Sequence, residues 1–583
     1  MAGSEPYIRL LASVPAFAAL DTEHLQTLYR YCALKVAAKG EPVPATGESV
    51  DELGIVVSGR IVFEGPDKRE AGPGTLLGAW AFFNRAPVEE SAIALRETVL
   101  LTLAWDDFIE ALQASPALAL AFVPRHGAAP EEAASSGLKL ARIVICPAGA
   151  QARLDAGMRD ALLAAFESVA EIRILRRQSF GAGMPGALAL DDPGIANWLQ
   201  EQELEFDLTI TIPGEEDIEF AKEVIAEADG VLFVAGGSDP ALSELERYAL
   251  DVRGPQNCRL LLAKTGGGPR QDPAAWREPR GYVSMRTLDF ASPSAIRLMG
   301  QHLLGKGHAI AAASSGVYAA AIWGALRAFE EYDEPAVCLA GAGSAVLPAG
   351  LLACGLDATA IDSVFRELAN PSLWKRASRP EAGLYDPAGL DTFLVNALKG
   401  LEIPAAARPF AAVSRSHSEG APQVHLEGRL HGAVRAGIAP HGILPPLILD
   451  GGEILLSGES ETQALLAAAK GLTASPVSFV YAKPAPAGCT PMTYRSLTGF
   501  SLFRLTQTPF DKRVRLETVL GAGLGPCDMG QAARVFALPV PEGIAPMDWP
   551  EWMRLRDAAY EWTVKELEGA GAAPDEDGPL DRA

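Results

Sequence analysis

The sequence lacks any run of apolar residues long enough to cross a membrane. The stretch that comes nearest, GHAIAAASSGVYAAAIWGAL, is broken by glycine and by a pair of serines. Basic residues are also few, since 50 Lys and Arg face 73 Asp and Glu and the net charge is -23. A chain this acidic is a poor partner for nucleic-acid phosphates and for anionic membrane surfaces. We expect no nucleic-acid partner and at most peripheral contact with membranes.

Cysteine and histidine are sparse as well. The seven cysteines are odd in number and far apart, and no C-x-x-C pair occurs. The eight histidines form no H-E-x-x-H motif. The opening stretch, MAGSEPYIRLLASVPAFAAL, contains acid and lacks the continuous apolar core of a signal peptide. These absences predict reduced thiols, no metal site, no cofactor and a cytoplasmic location.

The chain does contain three segments with the patterns of folded domains. In residues 1–124 a leucine-rich helical sequence precedes β-like runs such as ELGIVVSGRIVFEG and SAIALRETVLLTLAW, which alternate with glycine turns. A helix, DDFIEALQASPALALAF, closes the segment, with Asp106 or Asp107 as its expected N-cap. This order predicts a small β-roll. Residues 125–137, RHGAAPEEAASSG, are predicted to be a linker.

Residues 138–306 alternate apolar strands with helical sequence. The strands are ARIVICPAG, EIRILRR, FDLTITI, ADGVLFVAGG and CRLLLAKTGGG, and the pattern predicts a parallel sheet with helices on both faces. The glycine clusters AGGSDP and KTGGG form neither a P-loop nor a complete G-x-G-x-x-G motif, which favours ordinary turns. A second α/β domain is predicted over residues 307–567, followed by a disordered acidic tail at residues 568–583.

Three stretches of this scaffold resemble one known family. ADGVLFVAGGSDPALSELERYAL, GALRAFEEYDEPAVCLAG and GILPPLILDGGEILLSGES are similar to bacterial relatives of neuropathy target esterase, a branch of the patatin-like phospholipases. The resemblance implies a multidomain chain with a cyclic-nucleotide-binding-like β-roll, a Rossmann-like α/β intermediate domain and a patatin-like α/β domain. It also implies the family's activity, hydrolysis of lysophospholipid esters by a Ser-Asp dyad beside a glycine-rich oxyanion loop.

The family's nucleophile is a serine in a Gly-x-Ser-x-Gly elbow. Counted without a gap from GALRAFEE, that position falls on Gly343, and glycine has no hydroxyl to offer. Ser344 comes one residue later, where it is expected to be an N-terminal residue or the cap of the following helix, AVLPAGLLA.

The family's glycine-rich loop maps onto AASSGVYAAAIWG. Its glycine and arginine positions here carry Ser314, Ser315, Gly316 and Tyr318. Because serine side chains restrict positive φ and close backbone approach, this comparison predicts a malformed oxyanion hole.

The family's aspartate follows a short apolar strand and precedes a glycine. The strand here is Ile454–Leu456, so the aspartate position falls on Ser457. A literal Asp-Gly-Gly begins at Asp450, but Asp-Gly between two apolar runs is also the signature of a hairpin turn. Two interpretations stay open. One is an inactive protein with Gly343 and Ser457 in the catalytic positions, and the other is an active esterase that uses Ser344 and Asp450.

Relatives of the roll bind the cyclic phosphate through a glutamate and an arginine. In GTLLGAWAFFNRAPVEESAIAL these positions carry Ala79 and Val88, and Glu89 and Glu90 follow. An arginine would make a bidentate, charge-assisted contact with phosphate, whereas carboxylates repel it. Arg85 would substitute only in a remodelled loop. The sequence favours a roll kept for packing or protein contact over a nucleotide sensor.

These observations together predict a catalytically inactive patatin-like protein that acts as a scaffold or a regulatory partner. The expected partner is an active patatin-like paralogue or a second copy of this chain. The alternatives are an active lysophospholipase and a cyclic-nucleotide-responsive sensor. Elsewhere, SRSHSEG, which contains Ser414 and His417, is predicted to be a polar loop, and MDWPEWMRLRDAAYEWTVKEL is predicted to be a helix that covers a core.

Overall fold

A computed structural model describes most of the chain. The described residues are 5–14, 17, 20–48, 51–64, 69–88, 90–115, 118, 140–149, 153–179, 198–199, 202–203, 205–214, 217–237, 239–264, 273–281, 284–332, 334–378, 383–439, 443–449, 452–483 and 532–571. They belong to two compact units, Met1–Gly305 and Lys306–Ala583. No helix among these ranges is both long and apolar enough to span a bilayer. The linker predicted at residues 125–137 lies outside them.

The first unit opens with a β-roll. Its strands are β1 (Ala33–Ala37), β2 (Glu52–Ser58), β3 (Ile61–Phe63), β4 (Arg69–Ala71), β5 (Leu76–Leu77), β6 (Ala92–Ala94) and β7 (Thr98–Ala104). They form two antiparallel sheets, ordered β1-β7-β2-β5 and β4-β3-β6. Alternating residues such as Ile55 and Leu101 point into a core that the helices of the roll complete.

Four helices are described with these strands. They are α1 (Glu5–Ser13), α2 (Thr22–Arg30), α3 (Ala79–Asn84) and α4 (Trp105–Ala114). The Asp21 carboxylate caps α2 by accepting a hydrogen bond from the His24 amide at 2.9 Å. The expected cap of α4 is wrong, because Ala104 holds the N-cap position. Asp106 and Asp107 lie in its first turn, where their charges favour the positive end of the helix dipole.

The rest of the first unit is an α/β domain with a wholly parallel sheet. Its strands are β8 (Arg142–Pro147), β9 (Ile172–Leu175), β10 (Leu208–Thr211), β11 (Gly230–Ala235), β12 (Cys258–Ala263) and β13 (Ser284–Leu288), in the order β13-β12-β11-β8-β10-β9. Its helices are α5 (Ala156–Glu167), α6 (Ile218–Glu227), α7 (Glu244–Arg253), α8 (Pro273–Arg277) and α9 (Pro293–Leu303). The five predicted strands are confirmed, and β13 is a sixth strand that the pattern missed.

In the second unit, the described residues form a mixed sheet of eight strands. They are β14 (His308–Ser314), β15 (Ala336–Gly343), β16 (Phe410–Ser416), β17 (Pro422–His425), β18 (Leu447–Ile448), β19 (Ile454–Ser457), β20 (Val477–Lys483) and β21 (Arg534–Pro539). Its helices are α10 (Ala319–Glu331), α11 (Val346–Ala353), α12 (Ala358–Leu368), α13 (Ala388–Ala397), α14 (Leu430–Gly437), α15 (Thr462–Leu472) and α16 (Trp552–Gly571). The order is β18-β19-β16-β15-β14-β20-β21, and β17 pairs with β16.

The placement of β19 decides which residues meet at the sheet edge. Ser414 of β16 pairs with Gln423 of β17 on one side and with Ser457 of β19 on the other. β15 pairs with β16 only as far as Val413. β19 therefore occupies the edge of β16 that β15 leaves when the chain turns into α11, and this brings Ser457 beside the end of β15.

Helix α16 packs along α10, and the aromatic residues at its start are buried. Trp549 and Trp552 are 1% and 3% exposed, so the prediction of a core-covering helix is confirmed. The two helices approach closely at Gly324, where an added Cβ would meet the Arg556 carbonyl. α16 continues to Gly571, which is inside the segment predicted as a tail; residues 572–583 lie outside the described ranges.

Candidate functional site

The bend between β15 and α11 is the centre of the candidate site. β15 ends at Gly343, whose φ of 63° lies in the left-handed region, and α11 begins at Val346. Residues that carry a side chain rarely adopt this backbone conformation. A Cβ at Gly343 would also lie far inside contact distance of the Ser314 carbonyl oxygen and 2.8 Å from the Glu459 Cβ. The backbone forms a sharp strand-to-helix turn, and the space beside its apex is already filled.

The side chain and the amide of Ser344 bond to β14, and its carbonyl accepts a hydrogen bond from the Leu347 amide of α11 at 3.2 Å. Its Oγ lies 2.9 Å from the Ser314 Oγ, and its amide donates to the Ser314 carbonyl at 2.9 Å. The expectation that Ser344 is an N-terminal residue or the cap of α11 is wrong, because α11 begins at Val346 and Ala345 occupies the N-cap position without a side-chain hydrogen bond. Asp450, which the active-esterase alternative pairs with Ser344, lies outside the described residues.

Two backbone amides of the expected oxyanion loop, those of Val317 and Tyr318, already have partners. Val317 donates to the Pro546 carbonyl at 2.7 Å, and Tyr318 donates to the Ser315 carbonyl at 3.2 Å. Gly316 has a φ of 56°, so the loop keeps a left-handed residue. An added Cβ there would collide with the Pro546 carbonyl. Donors that are used in this way cannot stabilise an oxyanion without breaking a backbone hydrogen bond.

The side chains of the same loop are turned to structural contacts. Ser314 pairs with Ser344, and the Tyr318 hydroxyl donates to the Ile544 carbonyl at 2.9 Å. The Ser315 hydroxyl is buried and has no hydrogen-bond partner among the described residues. Ser314, Gly316 and Tyr318 therefore make contacts that stabilise the fold.

Ser457 lies at the end of β19, next to the bend. Its hydroxyl donates a hydrogen bond to the Glu459 carboxyl, which is 4% exposed. Burial raises the pKa of Glu459 to about 7. Because the Glu459 Cβ also borders the place that a side chain at Gly343 would take, a buried carboxyl connects the two positions that the sequence matched to the dyad. The sequence reasoning did not find Glu459.

A small cavity opens beside Ser457. Its volume is about 10 Å³, and its lining includes Arg435, Leu444, Pro445, Leu455 and Ser457. A space of this size holds about one water molecule. The Arg435 guanidinium donates to Asp391 at 2.5 Å and to the Pro445 carbonyl at 3.0 Å. This cavity is too small for an acyl chain.

A Ser-His pair lies on the neighbouring hairpin and was also missed. The Ser414 Oγ lies 2.6 Å from the His425 Nε2. The prediction of a polar loop over SRSHSEG is wrong for Ser414–Ser416, which lie in β16, and the turn begins at His417. Burial lowers the pKa of His425, so the imidazole is neutral at pH 7. The pairing follows from the β16–β17 register, which a search of short motifs does not reveal.

Metal and thiol chemistry find little support in the described ranges. There, no three His, Cys, Asp or Glu side chains come close enough to share a metal ion. Burial raises the pKa of the Cys146 and Cys354 thiols to about 12. Both thiols are therefore protonated and weakly nucleophilic at neutral pH.

In the β-roll, both expected phosphate contacts are apolar. Ala79 is the first residue of α3, and Val88 is 7% exposed. The Val88 amide donates to the Glu48 carbonyl at 2.9 Å, and the Val88 carbonyl accepts from the Gly47 amide at 2.8 Å. Val88 is thus a packing residue of the roll, and it offers phosphate neither charge nor a free donor.

Arg85, the positively charged residue nearest to Val88 in the sequence, makes its contacts with other residues of the roll. Its guanidinium lies 3.9 Å from the centre of the Trp105 ring and 3.4 Å from the Asp51 carboxylate. Arg85 itself has a φ of 52° at the end of α3, which fixes its backbone in an uncommon conformation. Glu89 lies outside the described residues.

Comparison with known proteins identifies the roll. Residues 34–115 match the family described as Cyclic nucleotide-binding domain. These residues are a cyclic nucleotide-binding domain. The domain extends from β1 through α4, and Ala79 and Val88 fall inside it.

Solved structures match the chain over about a fifth of its length. They include the N-terminal domain of a transcriptional regulator from Streptomyces coelicolor, with 31% identity, 19% of this chain and 86% of that chain covered, and a TM-score of 0.18. A cyclic nucleotide-binding-like protein from Brucella abortus is 28% identical, with 18% and 97% covered and a TM-score of 0.17. The catabolite activator protein of Thermus thermophilus is 25% identical, with 18% and 54% covered and a TM-score of 0.17. No curated protein matches the chain.

Proposed function

We propose that this chain is a patatin-like protein without hydrolytic activity, and that it serves as a scaffold or a regulatory partner. The observation that carries the proposal is Gly343. The turn from β15 to α11 has the strand-turn-helix form of a nucleophile elbow, yet its apex carries a hydrogen atom. Ser457 stands in the position matched to the aspartate, where it donates a hydrogen bond to Glu459 and has no carboxylate of its own.

The expected loss of catalytic turnover can be estimated from other serine hydrolases. Removing the nucleophile of a comparable serine hydrolase lowers turnover about a million-fold. The acceleration that remains in such variants comes from oxyanion stabilisation and substrate binding. Here the amides of Val317 and Ser344 are bonded to carbonyl groups, so this contribution is also reduced. We expect esters to be cleaved no faster than in buffer.

The test uses the purified full-length protein. It would be incubated with a lysophospholipid, with p-nitrophenyl butyrate and with a fluorophosphonate probe, beside the matched variants Ser344→Ala and Ser457→Ala. We expect no cleavage above the buffer rate and no labelled serine. Labelling that disappears in Ser344→Ala would establish the active-esterase alternative. Labelling that disappears in Ser457→Ala would show a nucleophile at the other position, and either result refutes the proposal.

The cyclic nucleotide-binding domain supplies a second candidate function, a nucleotide-responsive sensor. The family match favours this function. The cassette, defined here as residues 79–88, disfavours it, because Ala79 and Val88 are apolar. We propose that the domain binds no cyclic nucleotide and is kept for its contacts with protein. Millimolar cyclic AMP or cyclic GMP is expected to leave the melting temperature unchanged. The double variant Ala79→Glu, Val88→Arg is the positive control, and a ligand-dependent shift in the unmodified protein would contradict the proposal.

The proposed partner is an active patatin-like paralogue or a second copy of this chain, in the cytoplasm. The acidic net charge of -23 supports a protein partner, because it argues against nucleic acid and anionic lipid as partners. Size-exclusion chromatography with light scattering tests self-association. A strictly monomeric protein at micromolar concentration would leave the paralogue as the proposed partner.

A further inference from the structure

Two turns of the cyclic nucleotide-binding domain carry arginines into the α/β domain that follows it. Arg60 lies in the turn between β2 and β3, and Arg96 lies in the turn between β6 and β7. Their side chains are 1% and 12% exposed. Arginines are seldom buried to this extent unless acidic groups pair with them.

The first of these acidic groups is Asp229, the residue before β11. Its Oδ1 lies 3.1 Å from the Arg60 Nη2 and 3.0 Å from the Arg96 Nη2. Its Oδ2 accepts hydrogen bonds from the amides of Ala141 and Arg142, each at 2.9 Å, where β8 begins. β8 and β11 are neighbours at the centre of the sheet. One carboxylate thus joins both turns of the roll to the middle of the α/β domain.

Glu203 is the second acidic group. Its Oε1 lies 2.6 Å from the Arg142 Nη2 and 3.2 Å from the Arg96 Nη2, and its side chain is 2% exposed. Arg96 is therefore shared between two carboxylates of the other domain. A separate contact between the two domains lies nearby, because the Asn257 Nδ2 donates to the Glu70 Oε1 at 3.1 Å.

The stability of this contact depends on the charges of all its residues. Burial would raise the pKa of Asp229, but the three arginines around it outweigh burial and hold the pKa well below its ordinary value. A buried charge that loses its partner is strongly destabilising, whereas a charge that returns to water is not. Within the α/β domain, Arg142 compensates part of the charge of Glu203 and Asp229, and Arg60 and Arg96 add their compensation only while the roll is docked.

We propose that Arg60, Arg96, Glu203 and Asp229 form an interdomain lock that makes the roll and the α/β sheet one cooperative unit. The proposal does not depend on the patatin resemblance. β6 connects the cassette directly to the turn that carries Arg96. A protein partner that reshaped the cassette would therefore act on the centre of the sheet through the lock.

Hydrogen exchange of the full-length chain, followed by mass spectrometry, tests the lock across the domain boundary. In Arg96→Met, a change in the roll, we expect peptides that contain Ala141 and Arg142 to exchange about tenfold faster, the effect of one lost hydrogen bond to a charged group. The control is Arg30→Met, which replaces an exposed arginine at the end of α2 and should leave these peptides unchanged.

A milder variant makes the reciprocal test if Arg96→Met does not fold. Glu203→Gln alters the α/β domain, and its readout is the Leu95 amide of the roll, which donates to the Arg60 carbonyl at 2.8 Å. Faster exchange at Leu95 supports the lock. Exchange that changes only within the domain carrying the substitution, in either variant, overturns it.

Discussion

Replacing Glu459 with glutamine is expected to change how the stability of the second unit depends on pH. The Glu459 carboxyl is buried next to Gly343 and Ser457, and burial raises its pKa to about 7 from an ordinary 4.5. The folded state therefore binds the proton more tightly than the unfolded state does. Such a group contributes stability that is fully present below pH 4.5 and is lost as the pH rises through 7.

The size of this effect follows from the gap between the two pKa values. At 1.36 kcal/mol for each pKa unit, a rise from 4.5 to about 7 corresponds to about 3 kcal/mol. Glutamine stays neutral at every pH and keeps an oxygen that accepts from Ser457. The variant Glu459→Gln should exceed the free energy of unfolding of the unmodified protein by less than about 1 kcal/mol at pH 5 and by about 3 kcal/mol at pH 8.

Urea unfolding at pH 5, 6, 7 and 8, followed by tryptophan fluorescence, measures the difference. His302 and His308, whose pKa values burial lowers, change the stability with the opposite sign. They do so equally in both proteins, so the comparison cancels them. Glu419→Gln, at an exposed position, is the matched control. A difference between Glu459→Gln and the unmodified protein that stays constant from pH 5 to pH 8 would refute the reasoning.

Three further outcomes follow from the same contacts. Gly343→Ala should lower the free energy of unfolding by about 2 to 4 kcal/mol in urea titration, because a methyl at positive φ meets the Ser314 carbonyl. Ser344→Ala should cost about 1 kcal/mol, one buried hydrogen bond, and leave ester hydrolysis unchanged. Asp229→Asn should cost about 3 to 5 kcal/mol at pH 7. Its melting temperature should vary less than that of the unmodified protein between pH 5 and pH 3, because a lowered pKa gives stability that is lost as the pH falls.

The central strands of the α/β domain in the first unit were predictable from the sequence for a simple reason. A strand covered on both faces reads as a continuous apolar run, as Gly230–Ala235 does, in which every residue is buried. The strand at Ser284–Leu288 lies at the sheet edge, and its sequence, SMRTL, contains no run of apolar residues. The opposite edge strand, Ile172–Leu175, has only one buried residue, but its isoleucines and leucine still predicted it.

The candidate site was harder to predict because long-range pairing assembles it. Counting along the chain gave Gly343 and Ser457, and β19 places the second beside the first. Glu459 reads as part of a polar turn in the sequence, since nothing in the local pattern shows that it is buried against a bend more than a hundred residues earlier. Ser414 and His425 meet only through the register of a hairpin.

Gly343 at the bend and Val88 in the roll differ in a physically similar way from the residues that the family resemblance implies. A serine at Gly343 would hold a side chain at positive φ, a conformation that costs about 1 to 3 kcal/mol, and glycine removes that strain. An arginine at Val88 would need a phosphate or water for its charge, whereas the buried valine contributes about 1.5 kcal/mol or more by packing. At both positions the residue that is present favours the stability of the local fold over a reactive or charged group. The substitutions Gly343→Ser and Val88→Arg should therefore destabilise the protein, and a gain in stability from either would contradict the view that both positions serve the local fold.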